Sequence, residues 1–199
     1  MAIADLDATM TPMQGERPRW WRWRHVALAL AGGAGLVAVG AAVSVPMVPI
    51  PMTLQSLAVV VVGALLGPIW GMAALLLYLA LGAAGLPIFA DGGSGVDRLF
   101  SAGAGYLWSF PLAAALAGLA DRVTRDSDHR VLRLFLAFVA AHLLILALGV
   151  WGLARTLVLT EALSVGAWPF LPGMLVKSAI GAWLGSRIGW RFSGPARAA

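Results

Sequence analysis

The sequence has 199 residues, of which 60% are hydrophobic and 12% charged, with a net charge of +5 and no cysteine. A soluble domain carries about twice that charged fraction, so most of this surface is built to meet lipid, as the mean hydropathy of +0.86 also implies. The composition excludes disulfides, thiol chemistry and cysteine-held metal, and the basic excess fits segments beside anionic lipid better than nucleic acid.

Without water in the hydrocarbon core, only helices or a closed barrel satisfy every backbone group. Barrel strands alternate apolar and polar residues, whereas the apolar runs here are continuous and rich in Ala, Leu, Val and Gly. The fold class expected is an all-α membrane protein, a six-transmembrane-helix bundle with both termini cytoplasmic. Its domains are a disordered or interfacial basic N-terminus (1–24), a membrane domain (25–190) and a basic cytoplasmic tail (191–199).

Residues 1–16 are polar and aperiodic. Arg17, Arg19, Arg22 and Arg24 then interleave with Trp20, Trp21 and Trp23, a mixture suited to a cytoplasmic interface. The run 25–45 follows and is long enough to span. A signal peptide is the competing reading, but the run is too long for its apolar region and leads into more membrane. Ala34, Ala38 and Ala42 recur every four residues, with Ala27, Ala31 and Gly35 in a parallel row. Such spacing lets another helix approach closely, either within the bundle or from a separate membrane subunit.

Pro46, Pro49 and Pro51 end this helix and enforce an extended, uncharged connection. Thr53 is placed to cap a second span, 53–67. Gly67-Pro68 predicts an antiparallel hairpin into a third span, 69–84, with Tyr78 at its middle. A second long connection, 85–103, mixes Gly92, Gly93 and Gly95 with the apolar Leu86, Ile88 and Phe89. The fourth span covers 104–120 with Pro111 as an expected kink. Residues 121–130 read as a solvated loop, with Asp121 and Arg122 at a helix end. Span 131–153, an interfacial helix within 154–168 and a last span, 170–189, complete the chain. Eleven Lys and Arg fall on one side of this arrangement and only Arg98 and Arg155 on the other. That bias puts both termini inside and the connections 46–52 and 85–103 outside.

Lys177 is the ionisable group set well inside a span, roughly 10 Å from its outer end at 1.5 Å per residue. A cation there costs on the order of 3 kcal/mol unless it meets a cavity and a partner. No acidic residue in the spans is available to pair with it, which leaves a ligand carboxylate, or snorkelling to the outer interface. Arg98 is a second candidate cation, or an arginine paired with Asp97 or Asp91. Gln55, Tyr78, Ser101, Tyr106 and Trp108 offer hydrogen bonds and flat apolar faces at the same level. His142 reads as bonded to a neighbouring helix rather than as part of a proton relay. No phosphate loop, metal-ligand cluster or nucleophile motif is present, so neither an enzyme nor a cofactor is expected.

The runs P-M-V-P-I-P-M-T-L-Q-S-L-A-V, L-L-G-P-I-W-G, L-Y-L-A-L-G-A-A-G-L-P-I-F-A, G-Y-L-W-S-F and E-A-L-S-V-G-A-W-P-F-L-P-G-M-L-V-K closely resemble the BioY family over about residues 27–185. BioY proteins are the biotin-capturing membrane subunits of energy-coupling-factor transporters. The resemblance implies a multi-pass protein of the bacterial cell membrane that binds a small-molecule vitamin, biotin. It also implies as partners a transmembrane coupling subunit, docked through Ala34, Ala38 and Ala42, and two ATPase subunits. Ligand contacts are expected from Lys177, Arg98, Gln55, Tyr78, Tyr106, Phe89, Asp91 and Met174. At Met174 the family carries Asp, and Ser101 to Tyr106 replaces its Gly-Pro-Thr-x-Gly-Tyr. A ligand-free scaffold, or a carrier for another carboxylate vitamin or a biotin relative, are the alternatives.

Overall fold

The structure is a computed structural model that describes residues 19–188 apart from residue 49. The polar start of the chain, Pro49, and the basic tail with Arg191 and Arg197 therefore lie outside the described residues. Helix α1 spans Arg19–Ala42, so residues 19–24 are helical and continuous with the first apolar run. A two-residue hairpin follows, β1 (Ser44–Val45) antiparallel to β2 (Met52–Thr53), with Ser44 opposite Thr53. The prolines between them exclude helix, and the hairpin satisfies backbone groups that an extended connection would leave open.

Helix α2, Gln55–Ala83, is broken at Gly67, whose φ of 77° and ψ of 177° are not helical. The chain reverses there: a Cβ on Gly71 would lie 2.9 Å from the Cα of Gly63, eight residues away along the chain. Gly67 supplies the backbone shape and Pro68 starts the second arm. The expected cap from Thr53 is replaced by Leu54, which makes no side-chain cap; the Thr53 hydroxyl accepts instead from the Gln55 N–H at 3.3 Å.

Helix α3, Ala104–Thr124, runs through Pro111 as one helix. More than half of its residues are buried. Its contacts are backbone-close. A Cβ on Gly118 would meet Gly67 and Pro68 at 2.5 Å, and one on Gly63 would strike the backbone of Ala114. Helix α4 is Arg130–Leu153. It buries Leu134, Phe138, Ala141 and Ile145, spaced to lie on one face. The short α5, Leu159–Gly166, leads through a turn at Trp168–Phe170 into α6, Leu171–Ile188.

The core joins Ala34 and Val37 of α1 to Val59, Val60, Leu75, Ala113, Ala117, Leu134 and Phe138. By length and composition, four helical stretches can cross a membrane: 23–42, α2, α4 and 159–188.

The loop 121–130 is not simply solvated. Asp121 is fully buried within α3, and its carboxylate accepts from Arg130 at 2.6 Å and from Arg125 at 3.5 Å. Arg130 also donates to the carbonyl of Gly185 at 3.1 Å. This node ties the ends of α3 and α6 to the start of α4. An isolated buried carboxylate would be prohibitively costly, and the arginines are what make it tolerable.

Candidate functional site

At the other end of the molecule a cavity of about 350 Å³ opens between the hairpin, the 85–103 connection, α3, α4 and α6. That volume lies within the range for small-molecule sites, roughly 300–1,000 Å³. Ile50, Pro51 and Thr53 form one cover; Phe89, Asp91, Arg98 and Ser101 form another. The two covers meet where Ser44 Oγ donates to Asp91 at 3.4 Å. Asp91 itself has a φ of 56°, in the left-handed region that short polar side chains tolerate best after glycine. Buried Phe110, His142, Ile145 and Leu153 line the interior.

One string of hydrogen bonds holds the covers to the helices. Thr53 Oγ1 donates to Gln55 Oε1 (3.1 Å), Gln55 Nε2 donates to the Tyr78 hydroxyl (2.6 Å), and Tyr78 donates to the Ile88 carbonyl (2.9 Å). Phe89 stands edge-on to Tyr78, ring centres 5.5 Å apart, and fits because residue 82 is glycine: a Cβ there would enter its ring.

Seven of the eight ligand residues expected from the sequence line the cavity: Gln55, Phe89, Asp91, Arg98, Tyr106, Met174 and Lys177. Tyr78 does not. It is fully buried, with its hydroxyl committed to the string above. Tyr106 lines the wall and donates to the Gly166 carbonyl at 2.6 Å. Trp108, outside the lining, is anchored to the Leu99 carbonyl at 2.9 Å. Lys177 donates to the Thr53 carbonyl at 2.6 Å and contacts Ser56 Oγ at 3.4 Å, which pins α6 to the hairpin. Arg98 is exposed; both ion pairs found among the described residues converge on Asp121, so neither Asp91 nor Asp97 pairs with it. Two cations against the single carboxylate of Asp91 leave the lining with one positive charge in excess.

Sequence reasoning missed Thr53, whose carbonyl rather than hydroxyl meets Lys177. A backbone acceptor leaves no mark in residue type. The placement of Phe110, Ile145 and Phe170 on the wall was also missed, because apolar cavity linings and apolar cores read alike. The row Ala34, Ala38 and Ala42 divides: Ala34 is in the core, Ala38 packs against it, and Ala42 is exposed. The parallel row Ala27, Ala31 and Gly35 is the one left open.

The family model for BioY matches residues 13–193. The chain belongs to the BioY family. Among BioY relatives, the probable biotin transporter BioY of Pyrococcus horikoshii is 33% identical over 140 residues, covering 70% of this chain and 81% of that protein. The biotin transporter BioY of Thermotoga maritima is 36% identical over 141 residues, again covering 70% and 81%. That of Rhizobium etli is 33% identical over 147 residues, covering 70% and 78%. The BioY fold is also matched by the crystal structure of the S-component for biotin from an ECF-type ABC transporter. The TM-score is 0.76 at 20% identity, over 86% of this chain and 94% of that one.

Proposed function

We propose that this BioY protein captures biotin from the outer side of a bacterial cell membrane and delivers it for uptake by an energy-coupling-factor transporter. The observation that carries the reading is the covered cavity, whose walls are apolar and whose lining holds one excess positive charge. Biotin brings one carboxylate, an apolar thioether ring and a neutral cyclic urea. Arg98, exposed and without an ion pair, takes the carboxylate at the rim, where the charge keeps part of its hydration. Lys177 is nearer the interior and already donates one hydrogen bond to the Thr53 carbonyl; it donates another to the ureido oxygen. The sequence alone favours Lys177 for the carboxylate, with Arg98 as a second candidate cation; here Arg98 takes that role. The thioether ring rests among Phe89, Tyr106, Phe110 and Met174.

The chain crosses the membrane six times in this reading: α1, the two arms of α2, α3, α4 and α6. Both termini are cytoplasmic. Support comes from the arginines clustered at the Asp121 end, while Arg98 and Arg155 alone mark the cavity end. The transmembrane coupling subunit docks on the exposed face of α1, where Ala27, Ala31, Gly35 and Ala42 allow close approach, and two ATPases act through it.

Calorimetry on the purified full chain tests the reading: biotin should bind at one site per chain, and desthiobiotin, which keeps the urea and the carboxylate, should bind too. Binding of another carboxylate vitamin in preference would reassign the ligand. Absence of any vitamin binding would favour the ligand-free scaffold to which Met174, standing where the family has Asp, first pointed.

A further inference from the structure

Among the described residues two buried side-chain polar atoms have no hydrogen-bond partner, Arg130 Nε and His142 Nε2. Arg130 belongs to the node at the far end. His142 lines the cavity, and the residue is only 3% exposed. Its other ring nitrogen fixes its tautomer. Nδ1 lies 2.8 Å from the Phe138 carbonyl oxygen, one turn earlier in α4. A carbonyl oxygen only accepts, so Nδ1 must carry the proton. Ser178 Oγ, 3.1 Å from the same nitrogen, then serves as a second acceptor. Nε2 is therefore a bare lone pair, held in orientation by α4 and α6 just beneath the surface of a wall that is otherwise largely apolar, so that a ligand reaches it by a small displacement of that wall.

The other neutral polar groups of the lining already make hydrogen bonds of their own. Gln55 receives from Thr53 and donates to Tyr78, and the Tyr106 hydroxyl donates to Gly166. Met174, 7% exposed in the same wall, offers only a weakly accepting thioether. Asp91 does accept strongly, but it stands exposed at the rim. A ligand that buries an N–H donor here meets one fitting buried acceptor on α4.

We propose that His142 Nε2 is a ligand-contacting, specificity-determining acceptor that binds a ring N–H of the captured molecule. This rests on the biotin reading above, in which the N–H belongs to the cyclic urea while Lys177 serves its carbonyl. The pocket then selects neutral cyclic ureas and amides over isosteres that present only acceptors, because an acceptor facing Nε2 leaves two lone pairs opposed.

The test is a binding cycle by calorimetry on the purified full chain, using wild type and H142F. The ligands are biotin and the two cyclic-carbamate analogues in which one ring N–H or the other is replaced by oxygen. Wild type should bind one analogue at least about tenfold more weakly than biotin, the order expected for one buried hydrogen bond and its repulsive replacement. H142F should bind biotin about five- to tenfold more weakly and lose most of its discrimination against that analogue. Thermal melting checks that H142F is folded; if it is not, H142M gives the same cycle. Equal discrimination by wild type and variant overturns the proposal while leaving biotin capture intact. A wild type that binds no biotin overturns the capture reading and this assignment together.

Discussion

The two ends of this bundle treat charge in opposite ways. At the Asp121 end opposite charges are matched: a fully buried carboxylate, two arginines and a carbonyl close on one another, with only Arg130 Nε left over. At the cavity end charge is left in surplus. Arg98 has no acidic partner among the described residues, Lys177 settles for a carbonyl and a hydroxyl, and the lining has one carboxylate for two cations. A matched cluster stabilises a fold; an unmatched one awaits something from outside. The backbone differs in the same sense, with helices continued to their ends on one side and Pro- and Gly-rich covers on the other.

Breaking each end should therefore give different phenotypes. The largest effect is expected from Asp121→Ala, which strands Arg130 between α4 and α6. Removing one partner of a buried pair costs about 3–5 kcal/mol. Thermal unfolding in detergent should show that loss, and a variant that melts like wild type would mean the node is not structural. Arg98→Ala should instead leave the melting temperature unchanged and weaken biotin about 10- to 100-fold, as expected for about 1.5–3 kcal/mol from a charge-assisted contact. Titration of biotin methyl ester sharpens the point: it should bind wild type and Arg98→Ala nearly equally. If Lys177 rather than Arg98 holds the carboxylate, Lys177→Ala will be the variant blind to esterification.

Gly82→Ala comes next in size. The new methyl group occupies the seat of the Phe89 ring, so the second cover should sit less well and ligand should escape faster, seen as an increased dissociation rate for labelled biotin. Tyr78→Phe should be mildest for the ligand, costing about 1–3 kcal/mol in stability from the lost bonds with Gln55 and Ile88, with the cavity's apolar lining untouched. A drop in biotin affinity larger than its stability loss would show that Tyr78 reaches the ligand after all.

Much of this was legible in the residues because membrane burial writes in broad strokes. Gly67-Pro68 predicted the reversal, the apolar runs predicted the helices to within a few residues, and Lys177 stood out because nothing in its span could pair with it. The hairpin Ser44–Thr53 was less legible. Its register depends on backbone pairing between segments whose residue types say only that helix is excluded. Asp121 was misjudged for a related reason: next to Arg122 and Arg125 it looks like part of a solvated loop, and only the return of Arg130 and Gly185 to the same point shows that it is buried. Ala34 and Gly35, adjacent on one helix, face inward and outward respectively, and small-residue spacing alone does not say which row belongs to the bundle.

The phenol of Tyr78 is wired in series between the two coverings, accepting a hydrogen bond from Gln55, which is itself tied to Thr53, and donating its own to Ile88. Neither flap can lift far without unseating the hinge-pin of its twin. Opening of one cover is therefore expected to disturb the other, through Tyr78 and through the Ser44–Asp91 contact alike.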